Sequence, residues 1–268
     1  MITTEFFIDT LPHIMFLSVL YSCGVLCHNE TVFAVPKKIP KWVPPVSNLW
    51  NFGMCAFSTI GSYYTWPIFV NLLKNEPIEA RNIWFILYAL SKPLELIDTF
   101  FLIQKSKQVG TLHWTHHAVT MLYVWYIACH NESVPPQLFA MFCIINYFVH
   151  ALMYGYYVVM DFVTLPKNVS GFVTSCQISQ FVICIIWTFL WRKQTPTNVF
   201  CMTILMYFYY FAMFMKFFLA KHFNRVKCHF CKTRMSVKTF CTECNMVCCK
   251  DCILKSNVCD FCCALKSE

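Results

Sequence analysis

The stretch PQLFAMFCIINYFVHALMYGYYVVM, residues 136–160, decides the fold class, because it contains no Asp, Glu, Lys or Arg. A helix needs about 20 predominantly apolar residues to cross the hydrocarbon core of a bilayer. Windows of about that length recur along the chain, and they predict seven membrane-spanning helices at about 11–28, 48–73, 83–104, 113–130, 136–160, 170–191 and 198–220. We therefore expect an all-α integral membrane protein.

The composition supports a membrane protein and argues against a soluble one. Of the 268 residues, 58% are hydrophobic and 13% are charged, and the mean hydropathy is +0.52; a soluble domain carries about 25% charged residues. Basic residues beside membrane spans mark the cytosolic side. Because seven spans place the termini on opposite sides, the lysine distribution predicts a lumenal N-terminus and a cytosolic C-terminus. The net charge of +8 comes largely from the C-terminal tail and from loops, and no nucleic-acid partner is expected.

The 18 cysteines fall into two groups. Eight are scattered through the apolar windows, where cysteine packs as a small hydrophobic residue. The other ten lie close together after residue 227, and eight of them form C-x-x-C pairs, two of which suffice for one tetrahedral zinc. We therefore predict a membrane domain at 1–225 and a cytosolic tail at 226–268 that holds structural zinc, with a disordered or palmitoylated tail as the alternative. The predicted ligands are Cys228, Cys231, Cys241, Cys244, Cys249, Cys252, Cys259 and Cys262.

Polar residues inside membrane spans are costly, so clusters of them indicate function. Four consecutive windows carry such clusters at helical spacing. An ion-paired helix face explains the cluster that contains Lys92 about as well as a functional site does. Hydrogen-bonded packing between helices explains the cluster that contains Gln177 equally well. Three histidines on one helical face instead favour a site, next to apolar walls that suit a long lipid. The clusters are Lys92, Glu95 and Asp98; His113, His116 and His117; Asn146, His150, Met153, Tyr154 and Tyr157; and Thr174, Gln177 and Gln180.

Four motifs in this order resemble those of the ELO family of very-long-chain fatty acid elongases, over about residues 10–225. They read Lys92-x-x-Glu95-x-x-Asp98-Thr99, His113-x-x-His116-His117, Asn146-x-x-x-His150-x-x-Met153-Tyr154 and Thr174-x-x-Gln177-x-x-Gln180-Phe181.

The resemblance implies a seven-helix inverted barrel around an acyl tunnel, in the endoplasmic reticulum membrane. It also implies a condensation of long-chain acyl-CoA with malonyl-CoA that needs no cofactor. The implied protein partners are the ketoacyl-CoA reductase, the dehydratase and the enoyl reductase of the elongation cycle, and a second copy of the chain is a further candidate.

The resemblance also implies roles for single residues. His116 is expected to take up the acyl group, with His150 as its partner at the reacting carbonyls and with His113 and His117 orienting the pair. Trp114 and Tyr147 are similar to the residues of elongases that favour saturated and monounsaturated chains. The expected substrate-binding residues are Lys92, Glu95, Asp98, Asn146, Tyr154, Gln177 and Gln180.

Two other classes compete with this interpretation. Metal-dependent membrane desaturases and hydroxylases also carry an H-x-x-H-H motif, but their di-iron sites take histidines from several such motifs. This chain has nine histidines and a single such motif. A seven-span receptor or transporter explains the number of spans but not three histidines on one helical face.

Overall fold

The computed structural model describes residues 4–31, 39–74, 76–78, 82–130 and 132–222, and four short strands beyond them. The chain divides into two compact units, Met1–Ala212 and Met213–Glu268.

Helices are the only regular secondary structure among the described residues of the first unit. Each predicted window contains helix, and four helices (α1, α6, α7 and α8 below) are long and apolar enough to cross a membrane. The all-helical membrane class is thus confirmed, whereas the seven spans and the barrel remain predictions. The helices are α1 (Thr4–Thr31), α2 (Val43–Leu73), α3 (Ile83–Leu94), α4 (Leu96–Gln104), α5 (Thr111–Cys129), α6 (Pro136–Met160), α7 (Lys167–Leu190) and α8 (Thr197–His222), the last of which continues into the second unit.

The third predicted window is two helices rather than one. Helix α3 ends at Leu94 and α4 begins at Leu96, with Glu95 between them. Pro93 lies in the last turn of α3, and proline has no N–H to donate to the carbonyl four residues earlier. The Glu95 N–H still donates to the carbonyl of Ser91 at 2.9 Å, so a helical hydrogen bond is kept at the junction.

Helix α6 lies at the centre of the unit and packs against α2, α3 and α7, while α5 packs against α1 and α3. A close approach holds α2 to α6: a Cβ at Gly61 would lie 2.6 Å from the ring of Tyr147, so only glycine fits there. The outer faces carry large apolar side chains such as Phe16, Leu49 and Leu205, each about 70% exposed as a membrane-facing surface requires.

The described part of the second unit beyond α8 consists of two antiparallel ribbons. One pairs β1 (Val226–Lys227) with β2 (Arg234–Met235), and the other pairs β3 (Thr239–Phe240) with β4 (Val247–Cys248). All eight predicted zinc ligands lie outside the described residues. The zinc and the predicted boundary at residue 225 therefore remain predictions.

Candidate active site

One buried carboxylate, that of Glu95, brings the first three predicted clusters together. Its Oε1 lies 2.7 Å from Lys92 Nζ, 3.2 Å from Ser91 Oγ and 3.7 Å from His150 Nδ1. Its Oε2 lies 4.0 Å from His117 Nδ1. The side chains of Lys92 and Glu95 are only 2% and 4% exposed, and such buried charges require partners. The break between α3 and α4 thus places an ion pair between α5 and α6.

Lys92 extends this cluster toward α6. Its Nζ also donates to Asn146 Oδ1 at 3.0 Å and lies 4.2 Å from the centre of the Tyr88 ring. Because the Oδ1 atom of Asn146 accepts from Lys92, the NH₂ group is the part of this amide left to donate elsewhere.

The three histidines of α5 contact different neighbours. The rings of His113 and His117 are 4.5 Å apart, and those of His116 and His117 are 5.7 Å apart. His113 Nε2 is hydrogen-bonded to Thr99 Oγ1 at 2.8 Å, and Thr99 Oγ1 is in turn bonded to the Tyr21 hydroxyl of α1, also at 2.8 Å. His113 therefore lies toward α1 and α4, whereas His117 lies at Glu95.

His116 lies on the wall of a narrow internal cavity between α3, α5, α6, α7 and α8. Its ring is 4.6 Å from that of Tyr210 and 6.5 Å from that of Phe181. Asn146 and Gln180 supply further polar groups to the wall. The rest of the wall is mainly apolar or aromatic and consists of Tyr88, Thr120, Tyr123, Val124, Phe139, Phe142, Phe181, Met206, Tyr207 and Tyr210.

The two glutamines of α7 differ in their surroundings. Gln180 lines the cavity, and its Oε1 is buried and accepts no hydrogen bond from any residue that the structure describes. Gln177 does not line the cavity; its Nε2 donates to Met153 Sδ at 3.2 Å. The geometry therefore favours Gln180 over Gln177 as a group that meets a ligand.

Asp98 is separated from the cavity. Its two carboxylate oxygens accept hydrogen bonds of 2.6 Å from Trp50 Nε1 and from the Tyr154 hydroxyl. Neither Asp98 nor Tyr154 is among the residues that line the cavity. Their contacts join α2, α4 and α6, so the arrangement supports a role in holding the site together rather than in touching substrate.

The structure adds residues that the sequence analysis missed. Ser91 is four residues before Glu95, so helical spacing contains a signal for it. Tyr210 stands in the aromatic run of residues 207–211, where nothing in the sequence distinguishes the ring that reaches His116.

No set of three His, Cys, Asp or Glu side chains is arranged to hold a metal ion among the residues that the structure describes.

Comparison with known proteins identifies relatives. The sequence profile of ELO, the GNS1/SUR4 family, matches residues 6–229. Long chain fatty acid elongase 1 of Caenorhabditis elegans is 30% identical over 243 residues, 82% of this chain and 82% of that protein. Fatty acid elongase 3 of Trypanosoma brucei brucei is 30% identical over 253 residues, 75% of this chain and 82% of that protein. Very long chain fatty acid elongase 3 of Homo sapiens is 30% identical over 193 residues, 63% of this chain and 69% of that protein. No solved structure matches the chain significantly.

Proposed function

Because the chain belongs to the ELO (GNS1/SUR4) family, we propose that it is a fatty acid elongase of the acyltransferase class, a very-long-chain 3-oxoacyl-CoA synthase. It condenses a long-chain acyl-CoA with malonyl-CoA to give 3-oxoacyl-CoA, CO₂ and CoA. The observation that carries the proposal is the cavity itself, where His116, Asn146 and Gln180 meet a mainly apolar and aromatic wall. A few polar groups beside an apolar and aromatic lining are the chemistry expected around the reactive carbonyl end of a long acyl chain.

In the first step, an imidazole nitrogen of His116 attacks the thioester carbonyl of the acyl-CoA. The carbon–sulfur bond breaks, the CoA thiolate leaves and takes up a proton, and an acyl-imidazole remains as an activated acyl donor. The transient oxyanion needs donors within the cavity. The NH₂ group of Asn146 is suited to this, since its Oδ1 already accepts from Lys92. The amide of Gln180 places a second NH₂ group on the cavity wall.

In the second step, malonyl-CoA loses CO₂, and the electron pair of the broken carbon–carbon bond forms an enolate. The enolate carbon attacks the acyl carbon, the carbon–nitrogen bond breaks, and His116 is restored. His116 takes up one proton as the carbon–nitrogen bond breaks, which replaces the proton that left with CoA in the first step, so the reaction consumes one proton overall. No cofactor enters either step.

The groups around Glu95 are proposed to position this chemistry. Glu95 holds Lys92 at 2.7 Å and lies within 4.0 Å of His150 and His117. A fixed carboxylate orients imidazoles and sets which nitrogen carries the proton. His150 is thereby available as the partner of His116 at the reacting carbonyls.

The proposed setting is the endoplasmic reticulum membrane, with seven spans arranged as an inverted barrel and a cytosolic C-terminus. Several exposed apolar helix faces support a multi-pass protein. The proposed substrates are saturated and monounsaturated acyl-CoAs. The products pass to the reductase, dehydratase and enoyl reductase of the cycle, which are the proposed partners, along with a second copy of the chain.

The experiment that tests the proposal separates a histidine intermediate from a cysteine one. Purified protein given acyl-CoA without malonyl-CoA should release CoA and gain one acyl mass on the peptide that contains residues 113–117. His116→Ala should abolish both the adduct and the condensation product. The matched control is Cys176→Ala, which changes a half-buried thiol of the neighbouring α7 and should leave both intact. An adduct on Cys176, or full turnover by His116→Ala, contradicts the acyl-imidazole; no condensation at all by the folded wild type contradicts the proposed function.

A further inference from the structure

Several hydroxyl groups on the wall of the internal cavity are paired within the protein, whereas the amide oxygen of Gln180 is not. Thr120 Oγ1 is hydrogen-bonded to the Tyr210 hydroxyl at 2.9 Å, and the Tyr123 hydroxyl to Thr203 Oγ1 at 2.6 Å. Gln180 lines the same cavity and is 6% exposed, and its Oε1 accepts no hydrogen bond from any residue that the structure describes. A buried acceptor is costly to leave unsatisfied. A ligand that brings a donor to this place is therefore favoured over one that does not.

Gln180 lies beside the group proposed to attack the substrate. The ring of the next residue, Phe181, is 6.5 Å from the ring of His116, and Gln180, His116 and Asn146 line one cavity. Because the acyl carbonyl has to reach His116, the part of the ligand that meets Gln180 is the carbonyl end of the acyl chain. An unsubstituted chain has only C–H groups next to that carbonyl, so its acyl part offers Oε1 no donor.

A primary amide can bind a donor and an acceptor that stand on adjacent carbon atoms. Its oxygen accepts from the donor while its NH₂ group donates to the acceptor, as when glutamine pairs with N6 and N7 of adenine. The hydroxyl and the carbonyl of a 2-hydroxyacyl thioester stand on adjacent carbons in the same way. Gln180 can therefore take both, with Oε1 accepting from the hydroxyl and Nε2 donating to the carbonyl oxygen.

We propose that 2-hydroxyacyl-CoA is a substrate class of this enzyme and that Gln180 selects it. The inference rests on the proposed condensation and names a substrate for the same site. No bond to the hydroxyl oxygen forms or breaks: the acyl group passes to His116 as CoA leaves, and the enolate from malonyl-CoA attacks the same carbon. The products are 4-hydroxy-3-oxoacyl-CoA, CO₂ and CoA. Because C2 of the substrate is chiral and one amide meets it, one enantiomer is favoured.

The wild-type protein gives the first test. One enantiomer of 2-hydroxyhexadecanoyl-CoA should be condensed with a higher kcat/KM than hexadecanoyl-CoA, by up to about tenfold, the equivalent of one hydrogen bond. The matched probe is 2-methylhexadecanoyl-CoA, because a methyl group is close to a hydroxyl in size but donates no hydrogen bond. It should be no better than the unsubstituted chain. If neither hydroxy enantiomer exceeds hexadecanoyl-CoA, the inference is overturned.

A variant then assigns the preference to Gln180. Gln180→Met keeps the length of the side chain and removes both amide groups, so activity on every substrate should fall. The measurement is the ratio of kcat/KM for the hydroxylated and unsubstituted chains, which should drop to near unity. Gln177→Met is the matched control, because it makes the same change on the same helix outside the cavity, and it should keep the wild-type ratio. A ratio that Gln180→Met leaves unchanged assigns the donor to the pantetheine amide of CoA or to water, and overturns selection by Gln180.

The inference and the proposed function fail in different ways. Condensation of hexadecanoyl-CoA without any preference for the hydroxylated chain retains the elongase and refutes the substrate class. No condensation of any of these acyl-CoAs by the folded wild type contradicts the proposed function, and the substrate class with it.

Discussion

The Lys92–Glu95 ion pair gives the sharpest test of how the site is built. Its atoms are 2.7 Å apart, and the two side chains are 2% and 4% exposed. Glu95→Gln removes the negative charge, so the buried ammonium keeps only uncharged partners, among them Asn146 Oδ1 and the Tyr88 ring. Removing one partner of a buried pair costs about 3–5 kcal/mol, because the other charge stays buried. We expect Lys92→Met to cost a similar amount.

The double variant Lys92→Met with Glu95→Gln should be much less destabilised than the sum of the two. If the two effects were additive, the double variant would lose about 6–10 kcal/mol of unfolding free energy. Replacing the whole buried pair with uncharged groups instead often leaves the stability nearly unchanged. We therefore expect a coupling free energy of at least about 3 kcal/mol between Lys92 and Glu95. All three variants should lose condensation activity. Without Lys92, Asn146 is no longer held at the cavity, and without the carboxylate of Glu95, the histidines lose the charged group that they face.

Thermal unfolding in detergent measures the stability changes. For a protein of this size, 1 kcal/mol corresponds to about 2–4 °C in Tm, so each single variant should lose about 6–20 °C. The matched control Lys107→Met changes an exposed lysine and should shift stability by less than about 0.5 kcal/mol. Additive losses in the double variant, or a single variant as stable as the wild type, would refute the interpretation of the pair as a buried, mutually dependent one.

Three further outcomes are expected. Gly61→Ala should lower the free energy of unfolding by about 1–3 kcal/mol, because its Cβ meets the buried Tyr147 ring at 2.6 Å. The control Gly53→Ala lies on the same helix, where a Cβ has open space, and it should cause no measurable loss of stability in a thermal unfolding assay. Tyr21→Phe removes the hydroxyl bonded to Thr99, so the rate of condensation should fall by up to about tenfold, the equivalent of one hydrogen bond. An unchanged rate would contradict a role for the hydrogen bonds from Tyr21 through Thr99 in holding the histidines. In intact microsomes, a tag at the C-terminus should be cleaved by added protease while one at the N-terminus is protected, and the opposite result would place the active site away from cytosolic CoA.

The sequence predicted the helices well because a long apolar window is visible without any knowledge of tertiary contacts. The i, i+3 spacing of Lys92 and Glu95 correctly indicated that they face the same way, and the structure joins them as an ion pair. Asp98 has the same spacing but binds Trp50 and Tyr154 instead. Pro93 was a signal for an irregular helix, yet spacing alone does not say whether a proline bends a helix or divides it.

Which polar residues reach the cavity was not predictable, since it depends on contacts between helices far apart in sequence. Asn146 and Gln180 line the cavity while Gln177 turns to Met153. Periodicity assigns a residue to a face, but the neighbour on that face is decided by packing. The tyrosines of α8 illustrate this, because five aromatic residues in succession give no preference for Tyr210 as the ring beside His116.

The arrangement around α5 explains how the imidazole of His116 is held in a fixed place. His113 is tied through Thr99 to α1, and His117 lies against Glu95. These two contacts are about one helical turn apart and lie on either side of His116 in the sequence, so together they oppose rotation of α5 about its axis. His116 then faces the cavity because the helix does. The proposed attack by His116 would thus have its geometry set before substrate arrives, which is the condition under which positioning lowers a barrier most.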